Sequence, residues 1–477
     1  MVGGGRTAGG GRTADVGRLL DEGRWSGFQK RVLLCAALAV VLDGFDNQAL
    51  GFALPLLIEE WGVARSDFAS VLALGLGGMA VGTALGGVAG DRVGRRRALL
   101  GSMVLFGVMT AAIAVVNGLG GLMALRFLAA LGLGGCIPNA TTLAAEVTPA
   151  KRRPWAVTLT ILCVPLGGMV GGLLAGQVLP TLGWRALFAL GGVMPLVLAG
   201  VFVAVVPESP RYLVRFPERH GELREMLGRM GRAVEAGAAL VDRAETQGKR
   251  VRPGALFGRA YLRDTLALWA AFFFCYVAVY VVFSWVPTLL TSRGLGIETA
   301  SAGLTAYNLG GVLGAVAGGW AIGRVGSRAA MVVMAAGGVA SAVVLRFVAF
   351  GEAGGGASGE AGLAAGSMTL ILWLAVNGAF VNAAQSTLFA LAAHVYPTDV
   401  RATGAGCAIG VGRLGAVLSA YAGAAVLEVD GGKAYFTLIA GTMAVTCVAL
   451  AAIGRHIRPA KAETKGGLAV AAPEASP

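Results

Sequence analysis

Two carboxylates, Asp43 and Asp46, stand three residues apart in Val40-Val41-Leu42-Asp43-Gly44-Phe45-Asp46-Asn47-Gln48-Ala49-Leu50, within an apolar run long enough to cross a bilayer. A charge at the centre of such a helix costs about 2.5–3.5 kcal/mol on insertion scales. A spacing of i and i+3 turns both side chains toward roughly one helix face. Carboxylates so close in apolar surroundings resist being charged together. That suits a group that takes up and releases a proton. The structural alternative is a helix break at Gly44 capped by one Asp, or a permanent pair with an Arg.

Two arginines are embedded in other apolar runs. Arg126 lies in Leu122-Met123-Ala124-Leu125-Arg126-Phe127-Leu128, and Arg413 in Gly410-Val411-Gly412-Arg413-Leu414-Gly415. A guanidinium does not give up its charge cheaply, so a deep one needs a carboxylate from the protein or from a ligand. Arg126 is expected to pair with Asp46 or with an entering carboxylate, or to snorkel. Arg413, near mid-span, is the candidate to hold an organic anion through a bidentate contact, or it forms a structural ion pair. Tyr276 and Tyr280 share one face of an aromatic-rich segment. They can stack on an aromatic ligand and donate hydrogen bonds, or simply pack. Asn308, Asn377, Asn382 and Gln385 add polar groups in neighbouring spans, and Asn308 and Asn382 are placed with the ligand set.

The elements that position these groups are membrane spans. Of 477 residues, 56% are hydrophobic and only 14% charged, and the mean hydropathy is +0.73; soluble domains carry about 25% charged residues. Apolar runs at 31–51, 67–89, 98–117, 120–143, 155–178, 184–206, 265–290, 301–322, 329–350, 367–392, 402–427 and 434–454 predict twelve transmembrane helices. Each is close to the ~20 residues that cross the hydrocarbon core. The expected fold is therefore an all-α polytopic membrane protein with two six-helix halves. The 76 glycines recur without a triplet period, which excludes collagen and suits close helix packing.

The net charge of +13 comes from short basic clusters between spans, not from a continuous basic face, so nucleic acid is not an expected partner. Arg24, Lys30 and Arg31, then Arg92 to Arg97, Lys151 to Arg153, the arginines of 211–263, Arg324 with Arg328, and Arg401 fall on alternate loops. Positive-inside then places both termini in the cytoplasm. Six dispersed cysteines and three histidines, His220, His394 and His456, make neither a zinc site nor a disulfide framework. No nucleophile–base set supports a membrane enzyme, and no metal or cofactor is expected.

The expected divisions are a disordered tail over 1–28, a six-helix bundle over 29–206, a polar linker over 207–264, a second bundle over 265–455 and a disordered tail over 456–477. In the linker, Gly221-Glu222-Leu223-Arg224-Glu225-Met226-Leu227 predicts a short amphipathic helix. The Gly-rich insert at 351–362 reads as a flexible loop.

The halves repeat. Gly86-Gly87-Val88-Ala89-Gly90-Asp91-Arg92-Val93-Gly94-Arg95-Arg96-Arg97 follows the second span, and Gly318-Gly319-Trp320-Ala321-Ile322-Gly323-Arg324-Val325-Gly326-Ser327-Arg328 follows the eighth. Glu146 precedes Arg153 as His394 precedes Arg401, each by seven positions. Repeated halves mark transporters that open a midplane site alternately to each side.

The loop at 86–97 resembles the signature loop of the major facilitator superfamily, and Pro207-Glu208-Ser209-Pro210-Arg211 is similar to that of its sugar and organic-ion branches. Asp43-Gly44-Phe45-Asp46, Gly132-Leu133-Gly134-Gly135-Cys136-Ile137-Pro138-Asn139 and Tyr396-Pro397-Thr398-Asp399-Val400-Arg401-Ala402-Thr403-Gly404 resemble its aromatic acid:proton symporters. The resemblance implies proton coupling at Asp43 and Asp46. It also implies gating by Asp91, Arg92, Arg95 and Arg96, with a latch from Glu146, Arg153 and Arg401. Gly323 stands where the first half has Asp91, so the second lock must be weaker or differently built.

The function expected is import of an aromatic or related organic acid anion by proton symport with alternating access, in a bacterial inner membrane, by a monomer whose other partners are protons and lipid. Alternatives are a proton-coupled exporter of drugs or metabolites, a sugar or organic-ion carrier, and a receptor that binds without flux. Arg126 and Arg413 disfavour a cation site.

Overall fold

Long apolar runs have no water to satisfy their backbone, so they close their hydrogen bonds internally as helices. The computed structural model describes residues 5–6, 12–23, 25–232, 234, 238–242, 258, 261–350, 360–396, 401–429 and 433–459. Among them, α2 (Gly27–Trp61), α3 (Arg65–Val93), α4 (Arg95–Ile113), α5 (Leu119–Val147), α6 (Arg153–Val205), α9 (Leu262–Thr291), α10 (Ile297–Val325), α11 (Ser327–Phe350), α12 (Glu360–Val395), α13 (Arg401–Val429) and α14 (Lys433–Ala452) are the long helices. Short elements lie outside them: β1 (Gly5–Arg6), β2 (Arg12–Asp15), α1 (Val16–Glu22), α7 (Pro210–Val214), α8 (His220–Arg229) and β3 (Ala239–Val241). The amphipathic helix expected in the linker is α8.

Ten of the helices are long and apolar enough to cross a membrane, so the chain is an all-α polytopic membrane protein. The helix α10 falls outside that set; its glycines and Asn308 dilute its apolarity. The helix α6 runs for 53 residues but is broken at Gly183, whose φ of 73° and ψ of −179° are not helical. A straight helix of that length would reach about 80 Å, against a hydrocarbon core of about 30 Å. Large apolar side chains such as Leu85, Leu173, Val197 and Leu313 point outward and are exposed, as a lipid-facing surface requires.

The chain forms two compact units, Met1–Trp61 with Leu74–Lys249, and Gly62–Ala73 with Arg250–Pro477. In the first, α2 packs along α6 and α4 along both α5 and α6. Val32, Val40, Leu99, Met103, Phe106, Leu133 and Phe202 form its buried core. Backbone meets backbone where α2 crosses α6. A Cβ on Gly44 would fall on the Val164 carbonyl, and one on Gly167 on the Val41 carbonyl. The second unit is built on α10 with α12, α9 with α13, and α11 with α14. There Gly310 approaches the Ala375 carbonyl and Gly378 the Tyr307 carbonyl. Small residues that admit such approach are how helices associate without a hydrophobic driving force.

The stretch 1–28, whose composition predicts no packing, carries a folded piece. Asp15 caps α1 by accepting from the Arg18 N–H at 3.2 Å. The strand β2 pairs in parallel with β3, Ala14 opposite Leu240. Val16 and Leu20 are fully buried against Leu213, Leu223, Met226, Leu227, Met230 and Leu240. Burying each is worth about 1.5–3 kcal/mol, enough to hold a short segment down. The insert at 351–362 falls largely outside the described residues, as do the motif positions 397–400, Arg24 and the tail beyond 459.

Candidate functional site

In the first unit the helix α2 presents both carboxylates inward, Asp43 at 1% and Asp46 at 0% exposure. Asp46 carries the ion pair. Its Oδ2 lies 3.0 Å from Nη1 of Arg126, itself 5% exposed. Its Oδ1 accepts from the Thr110 hydroxyl at 2.8 Å. Arg126 Nη2 also donates to the Asp46 carbonyl at 2.9 Å. The guanidinium thus grips both side chain and backbone of one residue. Of the three expectations for Arg126, the pair with Asp46 is present and snorkelling is not. Asp43 lies one helical turn earlier, within electrostatic range of the Cys136 sulfur.

Packing explains why these side chains meet. The backbone approach at Gly44 presses α2 onto α6, and Phe45 fits beside Gly171 and Gly191 of α6. The Arg126 stem lies against Gly75 of α3. A buried pair of this kind is weak evidence for stability, because desolvation offsets the attraction. It does create a site in which removing either charge strands the other.

In the second unit Arg413, 9% exposed, donates from Nη1 to the Tyr280 hydroxyl at 2.9 Å. Its guanidinium carbon also lies 5.9 Å from the Tyr276 ring centre. The rings of Tyr276 and Tyr280 are 5.7 Å apart, tilted by 31°. Phe283 continues the row at 5.8 Å from Tyr280, and Tyr307 stands edge-on at 5.9 Å from Phe283. Arg413 and the two tyrosines chosen from the sequence therefore form one cluster. Asn308 and Asn382 each donate an amide N–H to the carbonyl four residues back, Leu304 at 2.9 Å and Gly378 at 3.1 Å. Asn377 donates to Ser341 at 2.9 Å.

At the α3–α4 turn, Gly94 has φ 103°, a conformation that L side chains avoid. A Cβ there would also strike the Glu208 carboxylate. Glu208 Oε1 accepts from the backbone N–H of Arg96 at 2.9 Å and of its own neighbour Ser209 at 2.9 Å. Arg96 reaches the Val203 carbonyl at 2.7 Å, and the Tyr212 hydroxyl donates to the Arg92 carbonyl at 2.9 Å. Arg95 pairs with Asp91 at 2.6 Å and approaches Glu146 at 3.6 Å, while Glu146 also accepts from the Ser209 hydroxyl. Arg153 goes elsewhere. It donates to the Ala145 carbonyl at 2.9 Å and pairs with Asp21. Glu146 and Arg153, read together as one latch, thus take different partners. The side chain of Arg401 lies outside the described residues.

Four participants carry no role in the sequence reading: Glu208, Tyr212, Asp21 and Thr110. Glu208 was visible inside Pro207-Glu208-Ser209-Pro210-Arg211. The others carry no local signal.

At the corresponding place in the second unit the contacts are different. The Asp264 carboxylate accepts from the Gly454 N–H at 2.7 Å and meets Arg455 at 3.4 Å. Ser327 donates its N–H to the Ile457 carbonyl at 3.0 Å and accepts the Ile457 N–H at its hydroxyl at 2.8 Å. The chain after α14 therefore ties the α10–α11 turn to the start of α9. Among the described residues no cluster of His, Cys, Asp and Glu could hold a metal ion.

Residues 36–359 match the family model described as Major Facilitator Superfamily. The chain is 37% identical over 404 residues to the 4-hydroxybenzoate transporter PcaK of Pseudomonas aeruginosa, covering 84% of this chain and 87% of that one. It is 32% identical over 435 residues to the gallate transporter of Pseudomonas putida, covering 91% and 93%. Its fold is similar to the inward-open xylose transporter XylE from E. coli, with a TM-score of 0.69 at 17% identity, over 88% of this chain and 95% of that one.

Proposed function

Since this chain belongs to the Major Facilitator Superfamily, and within it to the aromatic acid transporters, we propose that it imports the anion of an aromatic or closely related organic acid together with protons. As a member of that superfamily it is a secondary transporter and not an enzyme. The observation that carries the substrate reading is the buried Asp46–Arg126 pair.

The pair performs an exchange of partners. Protonating Asp46 cancels its charge and leaves the Arg126 guanidinium without its counter-ion in a low-dielectric surround. A substrate carboxylate then becomes the favoured partner, held by two parallel N–H donors. Releasing the proton from Asp46 returns Arg126 to it and displaces the anion. Substrate affinity and proton occupancy are thereby linked. Asp43, one turn away, is the second protonation site. Energetics set the stoichiometry. One negative charge moving against a potential of 100 mV costs about 2.3 kcal/mol. One proton makes the import of a monoanion electroneutral, and two let the potential drive it.

In the second unit Arg413 and the Tyr276–Tyr280 row supply a cationic and aromatic surface suited to a benzoate-like ring. Gating is the role of Asp91, Arg92, Arg95, Arg96, Glu146, Arg153 and Arg401. Twelve spans follow if α6 is counted as two about Gly183 and α10 as one, giving two six-helix halves. The basic loops favour cytoplasmic termini, in a bacterial inner membrane, with the protein acting as a monomer on this reading.

Uptake of labelled 4-hydroxybenzoate into liposomes bearing the purified protein tests the reading. Accumulation should follow an inward proton gradient and vanish when the gradient is collapsed. Accumulation indifferent to the gradient refutes proton symport, and outward movement driven by it marks an exporter.

A further inference from the structure

A cavity of about 390 Å³ opens in the first unit against Thr141, Thr142, Glu146, Arg153, Val157 and Arg211. Its size falls among ligand pockets, about 300–1,000 Å³. Glu146 is already engaged by Arg95 and Ser209, so the lining cations are Arg153 and Arg211. One carboxylate serves both. Oδ1 of Asp21 meets Arg153 Nη2 and lies 3.4 Å from Arg211 Nη2. Arg211 has a further carboxylate, Asp242, only at 3.8 Å, and its buried Nε has no hydrogen-bond partner. Two guanidinium groups with five N–H donors each thus share a ligand that leaves much of their capacity unused.

Asp21 belongs to neither helix that carries these arginines. It is 132 residues from Arg153 and 190 from Arg211, and comes in on α1. That helix is held by Val16 and Leu20 and by the short β2–β3 pairing. Such a small attachment opens more readily than the spanning helices beneath it.

We propose that Arg153 and Arg211 form a second carboxylate site, separate from the Asp46–Arg126 pair, which Asp21 fills as a built-in ligand. The carboxylate of the transported acid takes that place when α1 lifts away; in naming this occupant the proposal rests on the transport function argued above. The group already bound there is a carboxylate, and Val157 and Ala145 supply apolar wall beside it. The nearby carboxylates of Glu146 and Asp242 disfavour a dianion such as phosphate. The N-terminal segment is then a competitor for the cargo at this end of the first unit.

Counting bound ligand tests this. Labelled 4-hydroxybenzoate is titrated onto the full-length protein in lipid nanodiscs, as wild type and as Asp21→Asn. Asp21→Asn should expose the added site, so that a second equivalent of ligand binds at concentrations where the wild type binds one. Combining it with Arg211→Gln should return the ligand bound at those concentrations to the wild-type level. A binding curve unchanged by Asp21→Asn overturns the proposal. Hydrogen exchange across 16–22 in wild type gives a second readout. Millimolar 4-hydroxybenzoate should speed it several-fold, and uncharged 4-hydroxybenzamide should not. Equal acceleration by inorganic phosphate overturns the assignment to a carboxylate. Proton-driven uptake is scored in parallel on the same protein. Uptake with neither extra binding nor faster exchange removes the second site alone. Faster exchange without uptake removes the transport reading alone.

Discussion

Arg126 holds Asp46 at two points, its carboxylate at 3.0 Å and its own carbonyl at 2.9 Å, while Thr110 takes the other carboxylate oxygen at 2.8 Å. The anion is therefore engaged on both oxygens, and the cation keeps its bond to the Asp46 carbonyl when the carboxylate is neutralised. A carrier that swaps protein carboxylate for substrate carboxylate needs both properties.

Asp46→Asn removes the charge and keeps the shape. Losing one partner of a buried pair costs about 3–5 kcal/mol. Proton-driven accumulation is expected to disappear while gradient-free exchange of the anion persists, because Arg126 is then permanently available. Counterflow and uptake measured side by side check this. Retained accumulation places the coupling proton elsewhere.

Arg126→Lys keeps the charge and loses the fork. A single ammonium cannot reproduce the fork that reaches the Asp46 carboxylate and its backbone carbonyl together. Hydrogen bonds to charged groups are worth about 1.5–3 kcal/mol, so substrate affinity should fall roughly tenfold to a hundredfold. Binding of 4-hydroxybenzoate to the purified variant reads this directly, and wild-type affinity would remove Arg126 from the binding step.

Tyr280→Phe deletes the acceptor that orients Arg413 but keeps the ring beside Tyr276. The expected loss is about 0.5–1.5 kcal/mol, a several-fold rise in KM with folding intact. A KM equal to wild type would show that Arg413 does not need this bond to act.

Gly94→Ala asks a side chain to adopt φ 103° and to occupy the place of the Glu208 carboxylate. Backbone strain of this kind costs about 1–3 kcal/mol. A lower Tm is expected, along with slowed transport and unchanged ligand affinity. If Glu208→Ala, which removes the acceptor of the Arg96 and Ser209 N–H groups, leaves Tm and rate untouched, the turn is not a lock.

His456 lies beyond the last spanning helix, with Nδ1 3.1 Å from the Ser327 hydroxyl. Burial pushes its pKa below the usual histidine value, and Arg328 nearby acts in the same direction; backbone contacts with Leu450 and Ile453, and the charge of Asp264, oppose it. A depressed histidine pKa means the attached chain end favours the neutral ring. Its contribution is intact above about pH 6.5 and falls away as pH drops below that value, because the released form binds the proton better. Hydrogen-exchange protection across 453–459, measured against the intrinsic exchange rate at each pH, should fall on acidification. His456→Gln should flatten that pH dependence.

The amino-acid sequence by itself determined that this is a membrane protein, where its apolar spans lie and which buried charges must matter. Those follow from local chemistry: twenty apolar residues cross hydrocarbon, and a charge within them needs a partner. Helical period places Asp43 and Asp46 on roughly one face but says nothing of what faces them. Tertiary structure decided that Asp46 takes Arg126 from 80 residues away, and Thr110 from 64 away. It decided that Glu146 and Arg153 go to different partners. It also tied the α10–α11 turn to the start of α9 through the chain after α14. Glu208 stood inside a legible motif, whereas Asp21 sat in a stretch whose composition argues against packing. The reason is common to all of these. Partner choice between distant segments depends on how closely helices approach, and that depends on contacts such as Gly44 on Val164 and Gly167 on Val41, which no local window of sequence contains.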